Sequence, residues 1–110
     1  MTMTGQAMFS SDRYVTSGVR EKVPVELQLM LWSIIEARKE RGDKLDYLQV
    51  FELSTEMVDD EPLQKVLNRQ EQPFHEEVFY VNMIGLPLDG VTVWIMDSGE
   101  YCTLLLPEEY

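Results

Sequence analysis

The segment "VPVELQLMLWSIIEARKERGDK" (residues 23–44) constrains the fold more than any other part of this sequence. Pro24 suits the first position of a helix, where its missing N–H would be unpaired anyway, and Gly42 suits a left-handed C-cap. Between them, apolar residues recur at helical spacing, and two more widen the stripe: Leu27, Met30, Leu31, Ile34 and Ile35, with Leu29 and Trp32. The pattern predicts one long helix that covers a sheet or meets a partner.

Three further segments alternate between apolar and polar residues, as strands do. We expect a short strand in Met8–Val19, ended by Ser17 and Gly18, a central strand in Lys44–Thr55 and another strand in His75–Met83. The polar segment 56–74 is expected to hold a turn at Asp59-Asp60-Glu61 before Pro62, followed by one or two helical turns in "PLQKVLNR".

The last segment, "VTVWIMDSGEYCTLLLP", is typical of a β-hairpin. If Ser98 and Gly99 form a two-residue loop, an apolar set of side chains falls on one face: Val91, Val93 and Ile95 opposite Leu106, Leu104 and Cys102. Trp94 and Tyr101 then lie on the other face. A three-residue loop with Gly99 in the left-handed region is the alternative, and the choice sets the register of the pair.

Together these elements predict an α+β fold, with one long helix packed on a four- to five-stranded, mainly antiparallel sheet that ends in a C-terminal hairpin. We expect residues 9–110 to form a single domain and residues 1–8 to be a disordered N-terminal extension. One helix covers only one face of such a sheet. The other face, with Trp94 and Tyr101, is the first candidate for a partner surface.

Charge is distributed unevenly along the chain, whose net charge is −11. Residues 1–44 hold seven of the nine Lys and Arg residues, whereas residues 45–110 hold only Lys65 and Arg69 against fourteen acids. Such an acidic body repels nucleic acid and anionic membrane and favours a protein partner with a basic surface. The simpler interpretation is that the acids keep the protein soluble.

The sequence indicates a cytoplasmic protein. Cys102 is the single cysteine, so no intrachain disulfide can form, which is typical of a reducing compartment. Residues 1–8 lack the basic and apolar regions of a signal peptide, and no apolar run approaches the length that spans a bilayer.

Catalytic, metal and cofactor motifs are not evident, so we expect no enzymatic activity, no metal and no cofactor. Ser98 suits a turn for backbone reasons, and Cys102 falls on the apolar face of the hairpin. His75, Glu76 and Glu77 alternate across a strand and would not converge on one ion. The sequence also lacks the glycine-rich patterns that cradle phosphates.

If the protein has a site, these considerations place it on acidic and aromatic surface. The candidate partner-binding residues are Asp59, Asp60, Glu61, Glu76, Glu77, Trp94, Asp97, Glu100, Tyr101, Glu108 and Glu109.

Four stretches together resemble a known family: "RYVTSGV", "PVELQLMLWSIIE", "LDYLQVFEL" and "VTVWIMDSGEYCTLLLPEEY". The chain is similar over roughly residues 9–110 to the short bacterial proteins of domain of unknown function 960. The resemblance implies one domain of the expected fold in a protein of bacteria and their mobile elements, and it implies no activity, cofactor or catalytic residue. This chain has "TSG" where the family pattern has "TRG", so it lacks a basic side chain beside the helix.

Three functions stay open. The chain could act as an inhibitor whose carboxylates mimic nucleic acid in the basic groove of a nuclease, in the manner of anti-CRISPR or anti-restriction proteins. It could be a regulatory adaptor or a homodimer that uses the uncovered sheet face or the edge of the last strand. It could also be an enzyme with an unrecognised site, which a pocket holding His75, Cys102 or converging carboxylates would favour.

Overall fold

A computed structural model describes residues 8–83 and 85–110. A six-stranded sheet and two helices form the fold, and a short 3-10 helix at Pro107–Glu109 follows the last strand. The elements are, in chain order, β1 Asp12–Val15, α1 Ser17–Lys22, α2 Val25–Glu40, β2 Leu48–Val58, β3 Glu61–Gln70, β4 His75–Val81, β5 Val91–Asp97 and β6 Tyr101–Leu105.

The sheet has the strand order β1-β6-β5-β2-β3-β4. The pair β1–β6 is parallel and the other pairs are antiparallel, which makes the sheet mixed. The α+β class and the long helix are confirmed, whereas the expected count of four to five strands is wrong. The first and last strands, β1 and β6, pair at one side of the sheet, and β4 forms the opposite edge.

The strand that the sequence analysis missed is β3. We expected helical turns in "PLQKVLNR", but this segment pairs with β2 on one side and β4 on the other. Its buried face carries Gln64, Val66, Asn68 and Gln70. Three of these four side chains are amides, so the usual alternation of apolar and polar residues is absent and the strand is hard to recognise.

A tight turn joins β2 to β3 at the expected place. Asp59 and Asp60 both have positive φ, of 52° and 65°. Two consecutive residues with positive φ are characteristic of a type I′ turn, whose twist matches that of the two strands it joins. Glu61, which we assigned to the turn, is already the first residue of β3.

The first strand is shorter than expected. Ser17 and Gly18 do not merely end it but begin α1, and the side chain of Thr16 caps that helix by accepting a 3.3 Å hydrogen bond from the N–H of Val19. A threonine at this position satisfies one of the free N–H groups of the first turn. We expected the same residues only to end the strand.

The strands β5 and β6 are antiparallel neighbours, but their predicted register is wrong. Ile95 lies opposite Leu104 instead of Cys102, and residues 98–100 connect the strands, with Gly99 at a φ of 93°. Asp97 lies opposite Cys102, and the N–H of Ser98 donates a 2.9 Å hydrogen bond to the carbonyl of Tyr101, so neither the two-residue loop at Ser98 and Gly99 nor the three-residue loop gives the observed register. Because the register shifts by two residues, each side chain keeps its expected face, and Cys102 is fully buried as predicted.

The helix α2 packs on one face of the sheet and forms the core with it. Its apolar stripe is buried as expected except for Met30, which is half-buried, and Leu29, which is 64% exposed. Burying each large apolar side chain contributes about 1.5–3 kcal/mol relative to an exposed one. The core contains Leu27, Leu31, Trp32, Ile34 and Ile35 of α2 and Phe51, Val66, Val93, Ile95 and Leu104 of the sheet.

The expected N-terminal extension, residues 1–8, lies outside the described residues apart from Met8. Met8 packs against the core, and Phe9 beside it is fully buried. The N–H of Phe9 donates a 2.8 Å hydrogen bond to Oδ2 of Asp97 at the end of β5. The described chain is therefore tied to the sheet from its first residues.

Candidate functional site

The two faces of the sheet can be assigned from contacts with α2. Arg38 of α2 bonds to Gln49 on β2 and to Asn68 on β3, and the guanidinium of Arg13 on β1 lies 4.5 Å from the ring centre of Trp32. These strand residues therefore point to the helix side. Since neighbouring residues of a strand point to opposite faces, the other set forms what we call the open face. Its main side chains are Tyr14, Leu48, Val50, Leu67, Val78, Tyr80, Trp94, Met96, Tyr101 and Thr103.

Aromatic and aliphatic side chains are exposed on the open face. Tyr14 is 56% exposed, Tyr80 51% and Tyr101 45%. The rings of Tyr14 and Tyr101 meet edge to face with centroids 5.7 Å apart, and Trp94 is half-buried with the ring of Tyr110 against it at 5.9 Å. Tyrosine and tryptophan present a large rigid surface with a polar tip and are enriched at protein interfaces.

Two shallow depressions lie along β2 and β3 on this face. One has a volume of about 260 Å³, and Glu52, Lys65 and Thr92 line it. The other, of about 180 Å³, is lined by Leu48, Val50 and Arg69 together with neighbouring loop residues. Neither contains His75 or Cys102. Each could accept one or two side chains of a partner.

The helix side of the molecule and the open face of the sheet differ in charge. The basic residues of the first 44 positions lie in β1, the two helices and the loop after α2, and Arg13 of β1 points to the helix side. The open face has two basic side chains among the described residues, Lys65 and Arg69, and Arg69 pairs with Glu52. The strand acids on this face are Asp12, Glu52, Glu56, Glu61 and Glu76.

The predicted acidic site residues do not converge. Asp59, Asp60 and Glu61 form the tip of the β2–β3 hairpin, at one end of the sheet. Asp97 and Glu100 flank the loop at the opposite end, where β4 begins with His75, Glu76 and Glu77. Glu108 and Glu109 follow β6 in the short 3-10 helix. The aromatic members, Trp94 and Tyr101, both lie on the open face.

Some of these carboxylates hold the fold together. Asp97 accepts hydrogen bonds from the N–H groups of Phe9 and Gly99, both at 2.8 Å. Glu108 lies 3.5 Å from Lys22 in an exposed ion pair. These contacts leave less of the acidic surface free for a partner than the sequence suggests.

Glu109 links the end of the chain to α1. Its carboxylate accepts hydrogen bonds from Oγ1 of Thr16 at 2.6 Å and from the N–H groups of Leu106 and Gly18 at 2.9 and 3.1 Å. The hydrogen bond from Thr16 is the main reason that the pKa of Glu109 lies below its ordinary value, because it stabilises the ionised form.

Glu77 belongs to a surface network on the helix side. Arg41 donates to Glu77 at 2.8 Å and to Asp43 at 2.6 Å. These bonds lower the pKa of Glu77 and Asp43, and the two carboxylates raise the pKa of Arg41. His75 lies 3.2 Å from the same Glu77 carboxylate. The network ties the start of β4 to the loop after α2.

Sequence reasoning missed a buried charged residue. We attributed Arg38 to favourable charge at the end of the helix, but it is 1% exposed and lies between α2 and the sheet. It donates to Gln49 at 2.8 Å, to Asn68 and Gln70 at 2.9 Å and to Asp43 at 3.0 Å. The amide side chains of β2 and β3 were the available signal for this role of Arg38, because buried amides require hydrogen-bond partners.

Among the described residues, no group of three or more His, Cys, Asp and Glu side chains could hold a metal ion. The buried thiol of Cys102 has the hydroxyl of Ser11 at 3.5 Å. No helix in the described part of the chain is both long and apolar enough to cross a membrane.

The profile of a family described as "Staphylococcal protein of unknown function (DUF960)" matches residues 12–109. The chain belongs to the DUF960 family. Among solved structures, it is similar to a crystal structure of a protein of unknown function from Enterococcus faecalis, with a TM-score of 0.78 and 23% identity. The match covers 100% of this chain and 98% of the other and shows a shared fold. A comparison with curated protein sequences gives no match. The expected family is thus confirmed.

Proposed function

We propose that this DUF960 protein is a binding protein without catalytic activity, and that the open face is its contact surface for a protein partner with basic side chains. The observation that carries the proposal is the exposure of Tyr14, Tyr80 and Tyr101 on a sheet face that no helix covers among the described residues. A surface of exposed aromatic rings is typical of protein interaction sites.

The charge of the open face supports a basic partner. Five strand acids share this face with two bases, one of which is neutralised by Glu52. Asp12 and Glu76, at the two edges of the sheet, form no ion pair with another described residue. These acids attract positively charged groups and accelerate association, while the apolar side chains of the open face supply contact area.

The contact can be mapped with a photo-crosslinking amino acid. The probe is placed at Tyr101 on the open face and, as a matched control, at Leu29 on α2, which is 64% exposed on the other side of the molecule. In bacterial cells that express the protein naturally, we expect position 101 to yield a discrete adduct with a basic protein that position 29 does not. Equal adducts at both positions, or none at position 101, would contradict the proposal.

A second candidate function is nuclease inhibition by nucleic-acid mimicry, and the β2–β3 hairpin favours it. The pairing of β2 with β5 ends at Leu53, and that of β3 with β4 ends at Gln64, so no strand lies beside the end of the hairpin. The loop before β5 contacts it at Thr55, which bonds to Leu88 and Asp89. Three consecutive exposed acids, Asp59, Asp60 and Glu61, occupy the tip of the hairpin. A row of exposed carboxylates can enter a basic groove as phosphates do.

Mimicry predicts binding to the nuclease of a CRISPR or restriction system that weakens steeply as salt increases. The triple variant Asp59→Asn, Asp60→Asn, Glu61→Gln should lose this binding, whereas Glu21→Gln and Glu26→Gln on the helices should retain it. Affinity that is unchanged between low and high salt, or in the triple variant, would exclude the mimicry function and leave the open-face proposal intact.

A further inference from the structure

The strand β4 forms an edge of the sheet that lies open among the described residues. It runs for seven residues, from His75 to Val81, beside β3, and no described element lies beyond it. The other edge strand, β1, has only four residues, and Arg13 within it is tied to Glu36 and Trp32 of α2. The longer edge is therefore the one that offers a row of free backbone groups.

Most devices that protect such an edge are missing from β4, whose charged residues, Glu76 and Glu77, lie in its first half. Natural edge strands carry Pro, charged residues or a bulge, or a neighbouring segment covers them. The sequence HEEVFYV has neither Pro nor Lys, and its pairing with β3 runs from Gln70–His75 to Gln64–Val81 without interruption. Val78 is 43% exposed and Tyr80 51% exposed. An exposed, apolar edge of this kind is suited to pairing with another strand.

The order of residues along β4 favours a second copy of the chain as the partner. The acids Glu76 and Glu77 lie in the first half of the strand, and the apolar residues Val78, Phe79 and Tyr80 follow them. If two copies pair antiparallel about Val78, Glu76 lies opposite Tyr80 and Glu77 lies opposite Phe79 of the partner. No acid then faces an acid, whereas parallel in-register pairing would place like charges side by side.

We infer that two copies of this protein associate through antiparallel pairing of their β4 strands, centred on Val78. The arrangement is an isologous two-fold interface. Directly opposite residues of antiparallel strands point to the same face, so the two open faces join into one continuous surface and the helices of both copies remain on the other side. The dimer goes beyond the proposed partner binding and would present two contact surfaces side by side.

The first test is the mass of the intact protein in solution, measured by light scattering and sedimentation up to the concentrations used in nuclear magnetic resonance. We expect a concentration-dependent dimer. Val78→Lys should be monomeric across the whole range in which the wild type dimerises, because two lysines would meet at the two-fold axis. Leu29→Lys, at an exposed apolar position on α2, should dimerise like the wild type.

The second test determines the register in which the two β4 strands pair. Val78→Cys should form an intermolecular disulfide on oxidation, because directly opposite side chains lie about 4.5–5.5 Å apart at Cβ. Tyr80→Cys should not, because its two copies would be offset by four residues, or about 13 Å along the strands. The native Cys102 is buried, so the wild type serves as the blank.

Circular dichroism and the melting temperature establish that each variant is folded. A wild type that stays monomeric at all concentrations, a Val78→Lys variant that dimerises normally, or a Tyr80→Cys variant that crosslinks as readily as Val78→Cys would each overturn the inference. None of these results bears on the crosslinking at Tyr101, so the dimer and the partner surface are tested separately.

Discussion

Nη2 of Arg38 donates a 2.9 Å hydrogen bond to Oε1 of Gln70, which joins the last turn of α2 to the end of β3 across 32 residues of sequence. Both residues are 1% exposed. Gln70 also accepts from Nε2 of Gln49 at 2.7 Å and donates to the carbonyl groups of Lys44 and Pro73 at 3.0 and 2.8 Å. The pair therefore fixes the position of the helix on the sheet and gathers the loops around it.

Arg38→Met should be strongly destabilising. The substitution leaves the buried oxygens of Gln49 and Asn68 without their charged donor and Asp43 without one of its two arginines, and removing one partner of a buried ionic network costs about 3–5 kcal/mol. Urea denaturation measures the loss. Arg20→Met on the exposed surface of α1 is the control and should change the free energy of unfolding by less than about 0.5 kcal/mol. If both variants changed the free energy of unfolding equally, the Arg38 network would contribute little to stability.

Stability should fall in acid partly because of Glu77. Its pKa in the folded protein lies below the ordinary value of 4.5, mainly through the hydrogen bond from Arg41. A lowered folded pKa contributes stability that is fully present above the unfolded pKa and is lost as the pH falls through the folded pKa. Glu77→Gln should therefore be less stable at neutral pH and lose less stability on acidification.

The measurement is the urea midpoint of both proteins at neutral pH and at about pH 3, where carboxylates become protonated. Glu76→Gln serves as the control, since this exposed neighbour on the same strand forms no hydrogen bond or ion pair with another described residue. An identical acid response in the wild type and Glu77→Gln would show that the bond from Arg41 does not stabilise the fold.

Gly18→Ala should lower the melting temperature by a few degrees although alanine is the better helix former. A Cβ at this position would lie 2.5 Å from Oε2 of Glu109 and 2.9 Å from Cδ1 of Leu106, so the carboxylate that caps α1 would have to move. In a Glu109→Ala background the same change should cost less, because the principal obstacle is gone. The melting temperatures of the two single variants and of the double variant test this coupling. If the two decreases in melting temperature simply add in the double variant, the prediction is wrong.

Asp60→Gly should stabilise the protein by up to about 1 kcal/mol, because relief of roughly 1–2 kcal/mol of left-handed strain exceeds the roughly 0.5–1 kcal/mol of extra backbone entropy that glycine loses on folding. Asp60 has a φ of 65° in the turn between β2 and β3, a conformation that glycine adopts without the steric cost of a Cβ. Asp-Gly is also a favoured pair for a type I′ turn. Asp60→Ala removes the same charge but keeps the Cβ, and it should not stabilise. If both variants gained stability equally, charge and not backbone conformation would be the cause.

Local patterns in the sequence were sufficient to predict several elements. The apolar stripe between Pro24 and Gly42 predicted α2, because burial of one helical face requires that spacing. The alternation of side chains on either side of Ser98 predicted that Cys102 points into the core. This prediction is confirmed although the predicted register is wrong, because a shift by two residues leaves each side chain on the same face of the sheet. The family resemblance rested on the same segments and was confirmed by the match over residues 12–109.

The candidate site was harder to predict. Trp94 and Tyr101 lie together on the open face as expected, but the acids divide between the two ends of the sheet, and Asp97, Glu77 and Glu109 form bonds within the fold. Carboxylates look alike in a sequence. Whether one is free for a partner depends on which N–H or guanidinium group the fold brings beside it.

By itself, the sequence determined the long helix, most of the strands, the inward position of Cys102 and the acidic excess of the second half of the chain. These follow from short-range periodicity and from composition, which do not depend on strand order. Only the tertiary structure decided that β3 is a strand, that β1 lies parallel to β6 and that β4 is an edge. The pairing of β1 with β6 joins residues far apart in the chain. In β3, Arg38 makes buried amides acceptable where an isolated segment would appear too polar for a sheet.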